Sequence, residues 1–224
     1  MPPSITTVCF DLDDTLLEYN QDGDAVIAEA FARAGVDAFC DSEELWACAD
    51  AVPDADSDHH FLTQTFEIAA ERYGGPTTDA ESLASAYEAA IDHTDVSFRP
   101  GAETALAHAR DHGRVGLVTN GERATQTVKL EALGIHDHFE THVYAGEMTP
   151  PKPAREPFDR AVTALGATPE RTLYVGNSLK HDVGGAKDAG LQAAWFPESG
   201  GRGETRDHSP DYTFDSLAEL KRLL

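Results

Sequence analysis

Apolar and polar positions follow two different periods along the chain. An apolar run at 6–10 predicts a short buried strand. Over about 17–98 the apolar residues recur at the three-to-four-residue spacing of helices, and no strand is predicted there. From residue 99 onward, short apolar runs alternate with helical segments. The pattern therefore predicts one strand, a long helical stretch and then a series of strand–helix units.

The series after residue 99 contains further strands and the helices that separate them. The strands are expected at 115–119, 141–145, 172–175 and 192–196, and the helices at 101–112, 122–133, 155–165, 182–189 and 216–224. Strands that alternate with helices favour a parallel sheet with helices on both faces. We therefore predict an α/β fold whose first strand is separated from the others by a helical insert.

Helices inside the insert are predicted from apolar spacing and from residues typical of helix ends. They are expected at 24–34 and closed by Gly35, at 43–52 with Ser42 as N-cap, at 59–73, and through 91 after a capping box formed by Thr78 and Glu81. The insert is therefore predicted to be an all-helical domain.

The net charge of the chain is strongly negative. The chain has 40 acidic and 17 basic residues, which gives a net charge of −23, and only five of the basic residues are lysines. Such a surface repels phosphate backbones and argues against nucleic-acid binding. Excess Asp and Glu with few Lys is typical of proteins from salt-accumulating microbes, because concentrated salt screens the repulsion. We therefore expect a halophilic, archaeal origin, with an acidic mesophilic protein as the alternative.

Three cysteines and the hydropathy of the chain bear on its location. Cys9, Cys40 and Cys48 form neither a metal-ligand pattern nor an even disulfide set, which favours a reducing compartment. No apolar run is long enough for a membrane span, and the start of the chain lacks the layout of a secretory signal. We expect a cytoplasmic protein that does not bind membranes.

Polar side chains suited to catalysis follow four of the predicted strands. Because the carboxyl ends of parallel strands lie at one edge of a sheet, we expect these side chains to converge. Asp-x-Asp also occurs elsewhere in this acidic chain, so the position after a buried strand is what indicates function. The four groups are Asp11, Asp13 and Thr15; Thr119 and Asn120; Lys152; and Asn177, Ser178 and Asp182.

These residue types suit phosphoryl transfer. A carboxylate can attack phosphorus and form an acyl-phosphate. Mg²⁺ prefers oxygen ligands and brings a phosphoryl group to an acidic site. A hydroxyl, loop amides and a lysine can stabilise charge on the phosphoryl oxygens.

In this order and spacing, the groups resemble the motifs of the haloacid dehalogenase-like hydrolase superfamily, over the whole chain. The motifs are Asp11-Leu-Asp13-Asp-Thr15, Thr119-Asn120, Lys152, and Gly176-Asn177-Ser178-Leu-Lys-His-Asp182. The resemblance implies a Rossmann-like core of residues 1–16 and 99–224. It also implies that residues 17–98 are a helical cap domain that closes over the sheet edge and selects the substrate.

The same resemblance implies the roles of six residues. Asp11 would be the nucleophile and a Mg²⁺ ligand. Asp13 would protonate the leaving alkoxide and then activate water, while its backbone carbonyl binds the metal. Thr119 and the amide of Asn120 would hold the phosphoryl oxygens, and Lys152 would neutralise them. Thr15 would support the loop.

The metal site departs from the family pattern at one position. Phosphatases of the superfamily usually carry Asp where this chain has Asn177. An amide oxygen can bind a hard cation but adds no charge, so we expect weaker Mg²⁺ binding and an enzyme that needs raised Mg²⁺. Asp182 remains as a metal ligand, direct or through water.

Two other functions are compatible with these residues. Dehalogenases of the superfamily need no metal and typically lack the second acid of the first motif, so Asp13 favours a phosphatase, whereas Asn177 leans towards a dehalogenase. A non-catalytic phosphate-binding regulatory protein is the third possibility. The expected substrate is a small phosphate ester of unspecified identity, and the sequence gives no oligomeric state. Arg99, at the end of the insert, is expected to be a surface hinge cation rather than a substrate contact.

Overall fold

The computed structural model describes residues 3–53, 55, 57–148, 150–197 and 208–224. The chain divides into two compact units, Met1–Glu18 with Val96–Leu224, and Tyr19–Asp95. The buried apolar residues fall into clusters that each lie within one unit. Within the described ranges, no helix combines the length and the apolar character needed to cross a membrane.

The regular elements follow one another in a mixed order. The strands are β1 (Thr7–Phe10), β2 (Leu17–Tyr19), β3 (Val96–Phe98), β4 (Arg114–Thr119), β5 (Thr141–Tyr144), β6 (Thr172–Gly176), β7 (Gln192–Trp195) and β8 (Tyr212–Thr213). The α-helices are α1 (Gly23–Ala34), α2 (Ser42–Trp46), α3 (Asp58–Tyr73), α4 (Ala80–Ala90), α5 (Ala102–His112), α6 (Arg123–Ala132), α7 (Arg155–Ala164) and α8 (Gly185–Asp188).

A six-stranded sheet forms the centre of the first unit. Its strand order is β5-β4-β1-β6-β7-β8, and neighbouring strands are parallel. From β1 the chain moves outward to β4 and β5, and then continues on the other side of β1 with β6, β7 and β8. In open parallel sheets, ligands bind beyond the carboxyl ends of the strands at such a reversal. The topology therefore points to the carboxyl end of β1.

Apolar residues cover both faces of this sheet. In β1, Val8 and Phe10 belong to one buried cluster and Cys9 to another. Residues of α5 join the first cluster and residues of α7 join the second. Successive side chains of a strand point to opposite faces, so helices cover the sheet on both sides. The predicted α/β fold with a parallel sheet is confirmed.

The unit Tyr19–Asp95 is mainly helical and has its own core. Phe31, Phe66 and Leu83 are buried in one cluster, and the rings of Phe31 and Phe66 meet edge to face at 6.3 Å. Gly35 and Gly74 cap the C-terminal ends of α1 and α3, both in the left-handed conformation that glycine adopts most easily. The boundaries of this unit lie two to three residues inside the predicted insert of 17–98.

The prediction that 17–98 contains no strand is wrong at both ends of the insert. Strands β2 and β3 pair as a separate two-stranded sheet where the chain enters and leaves the helical unit. Each strand has three residues, too few to establish the two-residue alternation by which a strand is recognised.

Two helix starts in the insert also differ from the prediction. Asp41, not Ser42, caps α2 and forms a capping box with Glu44, and the helix ends at Trp46 instead of 52. Thr78 does not cap α4, because a 3₁₀ turn at Thr77–Asp79 precedes the helix.

The C-terminal part of the chain differs in three details. Strand β8 was not predicted, and the expected final helix is a 3₁₀ segment at Leu217–Arg222 capped by Ser216. The helix predicted from 182 begins with a π-helical segment, Leu179–Gly184, before α8.

Candidate active site

A tight loop follows β1 and carries Asp11, Asp13 and Thr15. The Asp11 N–H donates to Val175 O at 2.9 Å, which continues the pairing of β1 with β6. The carbonyl of Leu12 accepts hydrogen bonds from three later backbone N–H groups, which curl the chain. Asp14 has a φ of 53°, in the left-handed region that Asp tolerates better than most residues.

Arg99 stabilises this loop from the other end of the insert. Its guanidinium donates to Asp14 O and to Pro197 O, and it stacks on the Phe196 ring at 4.2 Å. Arg99 is buried, with only 5% of its surface exposed. The prediction of a surface hinge cation is therefore wrong, because its donors are used on backbone carbonyls inside the first unit.

Lys152 lies at the centre of the candidate site. Its Nζ donates to Asp11 Oδ1 at 2.9 Å, to Asp182 Oδ1 at 2.7 Å and to the Tyr174 hydroxyl at 2.9 Å. All four side chains are buried. The ammonium of Lys152 has three hydrogens, and these three oxygens can accept one each. All of its hydrogen-bonding capacity is therefore used inside the protein.

Two buried carboxylates share this single cation. Burial raises the pKa of Asp11 to about 7; Lys152 opposes the shift, and the nearby Asp182 adds to it. Burial would lower the pKa of Lys152, but the two carboxylates outweigh it and raise that pKa above its usual value. Counting one ammonium against two carboxylates leaves one uncompensated negative charge, which favours binding of a further cation.

The backbone of Lys152 is held by the side chains of Asn120, after β4, and of His181, in the π-helical segment. The Asn120 amide donates to Lys152 O at 3.0 Å and accepts from Lys152 N at 2.9 Å. His181 Nδ1 lies 3.1 Å from the same carbonyl. The side-chain amide of Asn120 is therefore engaged with protein, and any contact of Asn120 with a phosphoryl group has to come from its backbone N–H.

Thr15 connects the first acid to the last motif. Its hydroxyl lies 3.2 Å from Asp11 Oδ2 and 3.3 Å from Asn177 Oδ1. Thr15 has a single hydroxyl hydrogen, so it can donate to Asp11 Oδ2 or to Asn177 Oδ1, but not to both at once. Asn177 lies after β6 and is followed by the π-helical segment that carries Asp182.

Asp13 points to a different group of side chains. Gln126 Nε2 donates to Asp13 Oδ2 at 2.6 Å, and Lys129 Nζ donates to Asp13 Oδ1 at 2.7 Å. Gln126 Nε2 also lies 2.7 Å from the hydroxyl of Thr119. Burial would raise the pKa of Asp13, but the charge of Lys129 and the hydrogen bonds from both residues lower it below its ordinary value.

The donor set at Asp11 fits a magnesium ion. Carboxylate oxygens of Asp11 and Asp182 and the amide oxygen of Asn177 are hard ligands of the kind Mg²⁺ takes, and the uncompensated charge would be neutralised. Within the described ranges, no three His, Cys, Asp or Glu side chains gather as a ready-made metal cluster. A metal here would thus depend on neutral oxygens, such as Asn177 and the Asp13 carbonyl, as well as on the two carboxylates.

The structure brings the predicted side chains together in two groups, and hydrogen bonds link the members of each group. Lys152 joins Asp11 to Asp182, with Thr15 reaching Asn177, and Gln126 joins Asp13 to Thr119. Sequence reasoning missed three residues of the site, namely Tyr174, Gln126 and Lys129. A signal existed only for Tyr174, which lies within a buried strand, since Gln126 and Lys129 are ordinary polar residues of a helix until the buried face of α6 is known.

Comparison with known proteins identifies the family. A family model described as haloacid dehalogenase-like hydrolase matches residues 5–190. The chain belongs to the haloacid dehalogenase-like hydrolases. The predicted family and the predicted enzyme class, a hydrolase, are therefore confirmed.

Phosphatases are among the proteins that align with nearly the whole chain. Phosphoserine phosphatase of Thermus thermophilus is 31% identical, covering 94% of this chain and 95% of the relative. Ribulose-1,5-bisphosphate 5-phosphatase of Halopiger xanaduensis is 29% identical, covering 98% and 99%. The structure of CbbY from Rhodobacter sphaeroides in complex with phosphate superposes with a TM-score of 0.74 at 24% identity, covering 96% of each chain. This last likeness shows the shared fold.

Proposed function

We propose that the protein is a Mg²⁺-dependent phosphomonoesterase that acts on a small phosphorylated metabolite through an aspartyl-phosphate on Asp11. The observation that carries the proposal is the Asp11 carboxylate, buried at the carboxyl end of the central strand and hydrogen-bonded to Lys152. Membership of the family and the phosphatase activity in the names of two relatives that align end to end support it.

The first half of the reaction transfers the phosphoryl group to the protein. An Asp11 carboxylate oxygen attacks phosphorus while the bond from phosphorus to the ester oxygen breaks. Asp13, in its protonated form, donates its proton to the departing alkoxide. Lys152 and the hydroxyl of Thr119 offset the charge on the phosphoryl oxygens, together with the backbone N–H of Asn120.

The second half releases phosphate. Asp13, now ionised, takes a proton from water as the water oxygen attacks phosphorus, and the bond from phosphorus to Asp11 breaks. The contacts with Lys129 and Gln126 lower the pKa of Asp13, which favours the carboxylate form used in this step and works against the protonated form used in the first. Inorganic phosphate leaves and both acids return to their starting forms.

Mg²⁺, when bound, would supply positive charge for the phosphoryl oxygens and for the two buried carboxylates. Asp11, Asp182, the amide oxygen of Asn177 and the backbone carbonyl of Asp13 would hold it. The neutral amide of Asn177 provides less attraction than a carboxylate, so the proposed enzyme requires raised Mg²⁺.

The proposed substrate class is a small phosphate ester in the cytoplasm. The names of the relatives include a phosphoserine phosphatase and a ribulose-1,5-bisphosphate 5-phosphatase, which name different substrates and the same phosphatase activity. The negative charge of the chain argues against a nucleic-acid substrate.

Phosphate release from p-nitrophenyl phosphate tests the proposal, with Mg²⁺ and with EDTA. Asp11→Asn removes the nucleophile and should lower kcat on the order of a thousand-fold or more. Asp159→Asn, which breaks an exposed pair with Arg155 on α7, is the matched control and should keep wild-type activity. A panel of phosphorylated metabolites would then identify the substrate.

Other outcomes would assign the protein to another class. Halide release from a haloacid without metal would support a dehalogenase, for which Asn177 is the favouring feature. Phosphate binding without turnover, unchanged by Asp11→Asn, would support a regulatory binding protein.

A further inference from the structure

Helix α6 presents two polar side chains on its buried face. Gln126 is fully buried and Lys129 is 5% exposed, and they lie three residues apart, so they project from the same side as the buried Leu130. An amide and an ammonium are costly to bury unless other groups receive their hydrogen bonds. Their placement therefore calls for partners inside the protein.

The carboxylate of Asp13 receives hydrogen bonds from both residues. Gln126 Nε2 lies 2.6 Å from Asp13 Oδ2, and Lys129 Nζ lies 2.7 Å from Asp13 Oδ1. With one donor on each oxygen, the carboxylate is restrained in both its position and its rotation. Neither residue occurs in the four motifs that indicate the active site.

Gln126 also connects Asp13 to the next strand of the sheet. The same Nε2 lies 2.7 Å from the hydroxyl of Thr119, at the end of β4. A Cβ on Gly121 would lie 2.4 Å from this nitrogen, so the glycine leaves the space that the amide occupies. Among the described residues, Gln126 Oε1 has no hydrogen-bond partner. An amide kept only for stability would be expected to have both its oxygen and its nitrogen paired.

We propose that Gln126 and Lys129 are positioning residues that hold Asp13 for proton transfer to the leaving group, and that Gln126 fixes its distance from Thr119. The inference rests on the proposed function, in which Asp13 is the acid and base. A residue that acts through the acid matters most when the leaving group needs a proton. An alkoxide needs one, whereas p-nitrophenolate is a stable anion and leaves without it.

The test compares kcat/KM for p-nitrophenyl phosphate and for an alkyl phosphomonoester that the wild type hydrolyses, such as glycerol phosphate. This ratio reports on the steps up to leaving-group departure. Gln126→Met and Lys129→Met should each lower it on the order of a hundred-fold for the alkyl ester and less than about tenfold for the aryl ester. In an Asp13→Ala background, the same changes should have little further effect on the alkyl ester, because the group they position is gone.

Matched controls remove the same functional groups elsewhere in the fold. Gln192→Met removes a buried amide at the start of β7 that donates to the backbone carbonyls of Pro3 and Glu170. Lys187→Met removes an ion pair with Asp211. Both should affect the two esters equally. Gln126→Asn keeps a buried amide but shortens its reach, so it provides a milder variant with the same expected selectivity if Gln126→Met does not fold.

Equal losses on the two esters, or full additivity with Asp13→Ala, would overturn the positioning role and leave the proposed function standing. A wild-type protein that hydrolyses neither ester with Mg²⁺ would overturn the proposed function and this inference with it. Unfolding midpoints of all variants identify losses that arise from folding alone.

Discussion

At the scale of single residues, Asn177 sets the charge of the candidate metal site. Its amide oxygen and Asp11 Oδ2 lie within 3.3 Å and 3.2 Å of the same hydroxyl, that of Thr15. Around them, Asp11 and Asp182 already share the single charge of Lys152. A substitution at 177 therefore changes the charge offered to a cation at this site.

Asn177→Asp should strengthen Mg²⁺ binding. The substitution adds one carboxylate of nearly the same shape, so the Mg²⁺ concentration for half-maximal activity should fall by about tenfold. A Mg²⁺ titration of activity and of the thermal midpoint measures the effect by two independent readouts.

Gln64→Glu on α3 adds the same charge in the other compact unit and serves as the control. It should leave the Mg²⁺ half-saturation at its wild-type value. An Asn177→Asp protein with unchanged half-saturation in both measurements would show that position 177 does not bind the metal.

At the scale of elements, α3 and α4 are joined by a histidine between two carboxylates. His59 Nδ1 lies 2.9 Å from Glu88 Oε2, and Nε2 lies 3.1 Å from Glu81 Oε1. The hydrogen bonds to Glu88 and then to Glu81 raise the pKa of His59 above its usual value. A raised histidine pKa stabilises the fold fully below the unfolded pKa, and this stabilisation is lost as the pH rises through the folded value.

Glu88→Gln should therefore destabilise the protein at pH 6 and have little effect at pH 9. The effect should be small, because the pair is partly exposed to water. Urea unfolding of both proteins at the two pH values measures it.

Glu29→Gln is the matched control, since Glu29 pairs with Arg33, whose charge does not change over this range. Its effect should be the same at pH 6 and pH 9. If Glu88→Gln behaved in the same way, the contact with His59 would carry no charge-dependent stability.

Elements that are buried on both sides were predictable from the sequence. Strands β1, β4 and β6 are apolar runs with polar residues at their carboxyl ends, and a parallel order brings those ends together. The short strands β2, β3 and β8 were not predictable, because two or three residues have no measurable period.

The same reasoning applies to the candidate site. Asp11 stands out because it directly follows a buried strand, and Lys152 and Asp182 lie in the segments that follow two other apolar strands. Gln126 and Lys129 do not stand out, because polar residues on a helix are ordinary until the rotation of the helix against the sheet is known. The packing of segments that are far apart in the chain decides which face of α6 meets Asp13. The spacing of residues within α6 does not predict this face.

At the scale of the whole molecule, the excess negative charge is unevenly divided. The unit Tyr19–Asp95 carries 18 acidic and 2 basic residues, and the rest of the chain carries 22 and 15. The helical unit thus holds a net −16 of the total −23, in about a third of the residues. Its self-repulsion should dominate the response of the protein to salt.

The thermal midpoint should therefore rise between 0.1 M and 2 M KCl, by ~5–10 °C if screening adds a few kcal/mol. Hydrogen exchange at the two salt concentrations locates the effect. Amides of α1, α3 and α4 should gain more protection than those of β1, β4 and β6, which serve as the internal control. A midpoint that is highest at low salt would contradict the halophilic hypothesis, and uniform protection would contradict the uneven distribution of its effect.

The pairing of β2 with β3 has a consequence for how this gene could change. The helical unit begins and ends at neighbouring points, where the Asn20 N–H donates to Asp95 O at 3.0 Å. A segment whose two ends meet can be lengthened, shortened or replaced by recombination without altering the order or register of the strands that the acids follow. The same two junctions are where a helical unit from a relative could be grafted, leaving the six-stranded sheet as it is.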